Sequence, residues 1–208
     1  MHRVFDEHTQ RYETWFERNS AAYESELEAV RIFLPPKCRG MEIGVGSGRF
    51  AAPLGIRDGV EPSTHMLEIA RGRGVRAIRG KGEALPYRSG TFDCALLVTT
   101  ICFVADPVRC CREIHRVLVP GGLLIIGLVD RESFLGRRYE AMKGQNVFYR
   151  SARFFSVDEV VKMLEKAGFV DFGFRQTLFS DPALIAGRQR AQPGHGKGAF
   201  AVLRAVAP

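Results

Sequence analysis

The sequence of 208 residues has no apolar run long enough to cross a membrane, no Cys-x-x-Cys pair and no His-rich ligand spacing. A spanning helix needs about 20 consecutive apolar residues. The longest candidate here, residues 121–129, is of strand length. The missing ligand spacings predict no structural metal. Five cysteines is an odd number, and the opening Met1-His2-Arg3-Val4-Phe5-Asp6 lacks a secretory pattern. Both features predict free thiols in a reducing cytoplasm. Long charge runs are also absent: the net charge is +7, but the arginines are scattered, with clusters only at residues 71–76 and 137–138. With no nucleic-acid-binding motif beside it, this basic excess predicts a solvated surface with no nucleic-acid partner. It leaves attraction to an anionic substrate open. Neither an internal repeat nor a domain boundary is visible, and 46% hydrophobic with 25% charged residues suits an ordinary globular chain.

What is present is organised around Gly40-Met41-Glu42-Ile43-Gly44-Val45-Gly46-Ser47-Gly48-Arg49-Phe50. It reads as the end of a buried strand, a glycine turn and the start of a helix over residues 49–54. Alternate glycines permit positive φ and let a ligand lie against the main chain, and the amides of the following helix would face an anionic group. The G-x-G-x-G spacing differs from the G-x-G-x-x-G of dinucleotide sites. Residues 4–34 predict two amphipathic helices, the second capped by Asn19-Ser20 and ended by Pro35-Pro36. From residue 39 strands and helices alternate. Strands are expected at 41–45, ending at Glu61, at 75–79, 91–98, 123–129, 170–179 and 199–205. Ser63, Asp106-Pro107 and Ser156 start the intervening helices, and Pro120-Gly121-Gly122 turns the chain into strand five. Such alternation predicts a mostly parallel sheet with helices on both faces.

Glu61 ends strand two, where a carboxylate can accept both hydroxyls of a ribose. From Glu42-x-Gly44-x-Gly46-x-Gly48 and Val60-Glu61-Pro62-Ser63, the ordered series continues through Gly82-Glu83-Ala84-Leu85-Pro86-Tyr87, Phe92-Asp93 and Asp106-Pro107. It ends at Glu113-x-x-Arg116-Val117-Leu118-Val119-Pro120-Gly121-Gly122. Together these motifs resemble the class I S-adenosylmethionine-dependent methyltransferases, most nearly the small-molecule branch that includes the quinone-biosynthesis enzymes. The resemblance covers about residues 38–130.

It implies an α/β fold: a doubly wound, mostly parallel seven-stranded sheet, Rossmann-like, with an antiparallel C-terminal strand and a helical N-terminal cover. A single domain spanning 1–208 would divide into a lid (1–36), a cofactor-binding half (37–130) and a substrate-side segment (131–208). The implied cofactor is S-adenosyl-L-methionine, the product S-adenosyl-L-homocysteine. Glu42, Gly44, Gly46 and Gly48 would line its methionine and ribose part, Glu61 would take the ribose hydroxyls, and Pro62 and Met66 would flank adenine. Gly82 and Glu83 would meet the adenine edge, and Thr99 would sit beside the methionine. Lys81 stands where many relatives carry an Asp that accepts from the adenine amino group, and Lys cannot accept. No His occurs in Thr99-Thr100-Ile101-Cys102-Phe103-Val104, so the catalytic group stays open among Cys102, Tyr12 and His195. The expected partner is a small-molecule acceptor, with no membrane or nucleic acid and a monomeric or homodimeric enzyme. A non-catalytic cofactor-binding module and a nicotinamide-dependent oxidoreductase remain as alternatives.

Overall fold

Strand β4, Phe92–Val98, is apolar at every position but Asp93 and buried at every position but that one. A strand of this composition needs cover on both faces, and it has it. Cys94, Leu96 and Val98 join one core, with Phe16, Ala22, Ala29 and Val30 of the N-terminal helices and with Leu67 and Ala70. Ala95 and Leu97 point the other way, into a core with Cys110, Ile114, Val160 and Leu164. The structure, a computed structural model, describes residues 3–208.

The described sheet runs β3-β2-β1-β4-β5-β8-β6-β7. Its members are β1 Gly40–Ile43, β2 Asp58–Glu61, β3 Arg76–Arg79, β4, β5 Leu118–Val129, β6 Val170–Thr177, β7 Gln192–Pro193 and β8 Phe200–Ala207. The first five are mutually parallel, and β8 lies antiparallel between β5 and β6. The seven expected strands are thus joined by an eighth of two residues. Because the chain moves outward from β1 to β3 and then returns to β4 on the other side of β1, a crevice opens at the carboxyl ends of β1 and β4. Ligands of doubly wound sheets bind at such a switch point. Helix α4 (Thr64–Gly72) covers one face with α2 (Thr9–Arg18), α3 (Ser20–Arg31) and α6 (Phe134–Ala141), α1 (Arg3–Glu7) packing beside α4; α5 (Pro107–Val117) and α7 (Val157–Lys166) cover the other.

Three local expectations are corrected. Residues 49–54 form turns, not a helix: Pro53 has no N–H, and the bond from Ile56 N to Ala51 O closes the segment. The glycine stretch therefore has no following helix to present its amides. The N-terminal segment is three helices, and Asn19 does not cap the third with its side chain. Its Nδ2 instead donates to Trp15 O at 2.9 Å, closing the helix before it. Residues 120–122 are not a turn before β5 but part of it. Phe92 pairs with Leu118 and Cys94 with Leu123, so β5 advances five residues while β4 advances two, a bulge eased by Gly121 at φ 78°. Among the described residues no helix is long and apolar enough to cross a membrane.

Candidate active site

The chain leaves β1 abruptly. The amides of Gly44 and Val45 both donate to Val60 O, at 2.8 and 3.1 Å, which turns the loop over the end of β2. Gly44 has φ 65°, and a Cβ there would stand 2.3 Å from Thr100 Cγ2. Thr100 Oγ1 donates to Gly44 O at 3.2 Å. The loops after β1 and β4 thus touch, and only glycine fits the contact.

Glu61, the last residue of β2, accepts from Gly46 N through Oε2 at 2.9 Å and from Ser63 N through Oε1 at 2.8 Å. Burial pushes its carboxyl up to about 6, against the pull of the two amides. It is ionised at neutral pH, and each oxygen retains a second acceptor site. Glu42 lies one residue before the cavity wall at Ile43. Its Oε2 is buried without a hydrogen-bond partner. Burial holds this carboxyl well above its ordinary value; the Ala51 amide opposes the shift and Glu61 adds to it.

A cavity of 490 Å³ fills the crevice. Of the residues expected at the cofactor, Gly44, Gly46, Glu61, Pro62, Met66, Gly82, Glu83 and Thr99 line it. Glu42 and Gly48 stand outside that lining. Glu83 Oε1 accepts from Ala105 N at 2.9 Å and Asp106 N at 3.3 Å, so part of its acceptor capacity secures the entry to α5. Arg116 donates to Glu113, to Tyr87 O and to Leu85 O, while Glu113 Oε2 accepts from Leu85 N at 2.9 Å. The Glu-x-x-Arg pair of α5 is thereby a staple on the loop after β3, and Arg116 holds the Glu113 carboxyl below its usual value. Thr99, at φ 49°, is one of three non-glycine residues with positive φ among those described. Such strain persists where the surroundings impose it.

The three catalytic candidates are placed differently. Cys102 lines the cavity, with burial pushing its thiol up to about 12, so it remains protonated at neutral pH. Tyr12 also lines the cavity. Burial and the carboxylates of Glu42 and Glu61 raise its phenol far above its ordinary value. His195 is not among the lining residues; its ring packs on Phe174 of β6, centroids 5.0 Å apart.

Two carboxylates escaped the sequence reading. Glu13 of α2 takes Ser47 Oγ, Arg49 Nη2 (2.5 Å) and Arg73 Nη2 (2.5 Å), tying the N-terminal cover to the glycine loop and to the end of α4. Burial works against its ionisation, but the bonds from Arg73, Ser47 and Arg49 outweigh this and leave the carboxyl below its usual value. Glu26 of α3 is 4% exposed and lines the cavity. Both sit at helical spacing within apolar stripes, Glu13 three before Phe16 and Glu26 three after Tyr23 and four before Val30. A carboxylate on the buried face of an amphipathic helix was the available signal. Phe5 of α1 completes the cover, its ring 5.1 Å from Phe103 and 5.4 Å from Phe148.

Residues 41–126 match the family model described as "Methyltransferase domain". A crystal structure from Thermotoga maritima, described as a "SAM-dependent methyltransferase, possible histamine N-methyltransferase", is 51% identical with a TM-score of 0.97, covering 100% of this chain and 99% of that one. An uncharacterized protein of Methanocaldococcus jannaschii is 42% identical over 97% of this chain and 98% of its own length. Demethylmenaquinone methyltransferase of Geobacillus kaustophilus is 24% identical over 91% and 97% of the respective chains. The chain spans 62% of the length of the mycobacterial relatives it matches. With its fold, its ordered motifs and a 51% identical methyltransferase structure that covers its full length, the chain belongs to the class I S-adenosylmethionine-dependent methyltransferases.

Proposed function

We propose that this enzyme methylates a small-molecule acceptor, mainly by holding acceptor and cofactor in line within one cavity. The observation that carries the reading is the Glu61 carboxylate, fixed by two backbone amides with acceptor capacity left over, on the wall of a 490 Å³ cavity roofed by α1 and α2. Glu61 would receive the ribose hydroxyls, and Gly44 and Gly46 would let the cofactor lie on the main chain, with Gly48 shaping the turn behind them. Glu42, buried with an unpartnered oxygen, suits the cationic methionine end. Pro62 and Met66 would flank adenine, Gly82 and Glu83 would meet its edge, and Thr99 would stand beside the methionine.

When bound, S-adenosylmethionine supplies a methyl carbon already activated by its sulfonium, which leaves as the neutral thioether of S-adenosylhomocysteine. The protein then has to exclude water and align the acceptor's lone pair with the methyl–sulfur axis at about 3–3.5 Å, which can account for most of the acceleration. The proton the acceptor loses goes to solvent. Neither Tyr12 nor Cys102, both protonated at neutral pH, is ready to act as a base, which suits an acceptor that is itself nucleophilic. In this reading residues 1–36 close over the cofactor half, 37–130, while 131–208 contribute the far wall. Calorimetric titration with S-adenosylmethionine and S-adenosylhomocysteine tests it. Binding of both, lost in Glu61→Ala, and release of S-adenosylhomocysteine with some small acceptor support it; no binding by the wild type ends it.

A further inference from the structure

Three buried acids other than Glu26 lie near the cofactor end of the cavity. Glu13 is held by Ser47, Arg49 and Arg73, Glu61 by two amides, and Glu42 stands behind the glycine loop. Glu26 differs. It lies on the cavity wall, 4% exposed, and among the described residues it has no hydrogen-bond or ion-pair partner. An unpartnered buried carboxyl is costly to keep, so its presence on an open cavity wall calls for a ligand group.

The wall shared with Glu26 is aromatic. Tyr139 of α6 and Tyr149 have ring centroids 4.4 Å apart, Tyr149 and Phe154 5.5 Å, and Tyr139 and Phe154 6.0 Å. Such faces attract a cation, and a carboxyl among them adds a hydrogen-bond acceptor and, once the cation has displaced its proton, a negative charge. The cavity's basic residues, Arg11 and Lys81, do not neutralise it. Arg11 lies over Phe148, and burial is the sole cause of the Glu26 shift, with neither cation pulling against it. The groups that face Glu26 from other elements are the phenols of Tyr12, Tyr139 and Tyr149, all raised above their ordinary value and so protonated at neutral pH.

Resting on the methyltransferase reading, we infer that Glu26 anchors the acceptor, its carboxyl receiving a protonated nitrogen of a compact amine against Tyr139, Tyr149 and Phe154, while the methyl goes to another atom of the acceptor that keeps a free lone pair. The site favours an ammonium or a protonated ring nitrogen over a neutral hydroxyl of the same shape. Burial holds the Glu26 carboxyl up to about 8. At pH 7 an incoming ammonium therefore displaces its proton to solvent, so amine binding releases about one proton.

The test uses the full chain saturated with S-adenosylhomocysteine, titrated with 2-phenylethylamine, histamine and 2-phenylethanol in buffers of different ionisation heat. At least one amine is expected to bind with proton release, more than about tenfold tighter than the alcohol. Glu26→Gln should weaken that amine by about 30-fold or more and abolish the proton release. Its affinity for S-adenosylhomocysteine should stay within twofold, which also reports that the variant folds. Alcohol binding as tight as amine binding, failure of both amines, or amine affinity unchanged in Glu26→Gln would each overturn the inference. If the wild type fails to bind S-adenosylhomocysteine, the proposed function falls first. If it binds S-adenosylhomocysteine but shows no Glu26-dependent preference for amine, the inference alone falls.

Discussion

The two ends of the cavity are built on opposite plans. At the cofactor end main chain does most of the work. Gly44 lies against Thr100, the amides of Gly46 and Ser63 hold Glu61, and the loop after β3 is stapled by Glu113 and Arg116. At the other end the wall is side chain: Glu26, Tyr139, Tyr149 and Phe154, brought from three separate segments. Backbone recognition suits a ligand common to a whole family, because few side chains need be kept. Side-chain recognition lets one member change its acceptor without disturbing the cofactor.

The comparison can be broken most directly at Glu61. Replacing it by Ala removes two charge-assisted hydrogen bonds to the ribose, at about 1.5–3 kcal/mol each. S-adenosylmethionine affinity should fall by about 100-fold or more in calorimetry, and a smaller loss would mean that side chains elsewhere share the task. Next is Glu13→Ala, which leaves Arg49 and Arg73 partly buried without their carboxylate. Denaturant unfolding should show a loss of about 2–4 kcal/mol, larger than for any single aromatic-wall hydroxyl.

Glu26→Gln should act in the other direction. The folded protein holds the Glu26 proton up to about pH 8, whereas the unfolded chain releases it near the ordinary carboxyl value of 4.5. The wild type therefore loses stability as pH rises between those values. The uncharged variant should gain on it across that window, on the order of 1–3 kcal/mol at pH 8, and unfolding curves at pH 5 and pH 8 measure the difference. Smallest is the pH dependence of cofactor binding. Glu61, at about 6, loses an acceptor site as pH falls through that value. S-adenosylmethionine affinity should be flat above pH 7 and about tenfold weaker at pH 5, a slope that Glu61→Gln should flatten.

The same division decided what could be read before the fold was known. Glu61, Pro62, Gly82 and Thr99 each follow or end a strand, so their place at the carboxyl edge of the sheet follows from strand order alone. Glu26 and Glu13 were hidden because each sits among apolar neighbours on a helix, and a periodicity that marks a buried face says nothing about what that face covers. Tyr139 and Tyr149 gain their meaning only when α6 and the turn after it fold back over Cys102, a contact with no local signature. Residues 49–54 misled for a different reason. Their composition allows a helix turn, but Pro53 withholds a donor where the second turn would need one.

Glu13 gives this enzyme a clasp. One carboxylate joins the roof to the loop beneath it and to α4 beside it, through Ser47, Arg49 and Arg73. If cofactor exchange requires this cover to lift, all of these contacts have to break together. Release of S-adenosylhomocysteine should then be a slow, all-or-none event hastened by salt, which stopped-flow chase experiments at two ionic strengths would register. Turnover would be timed by an ion cluster that touches neither reactant.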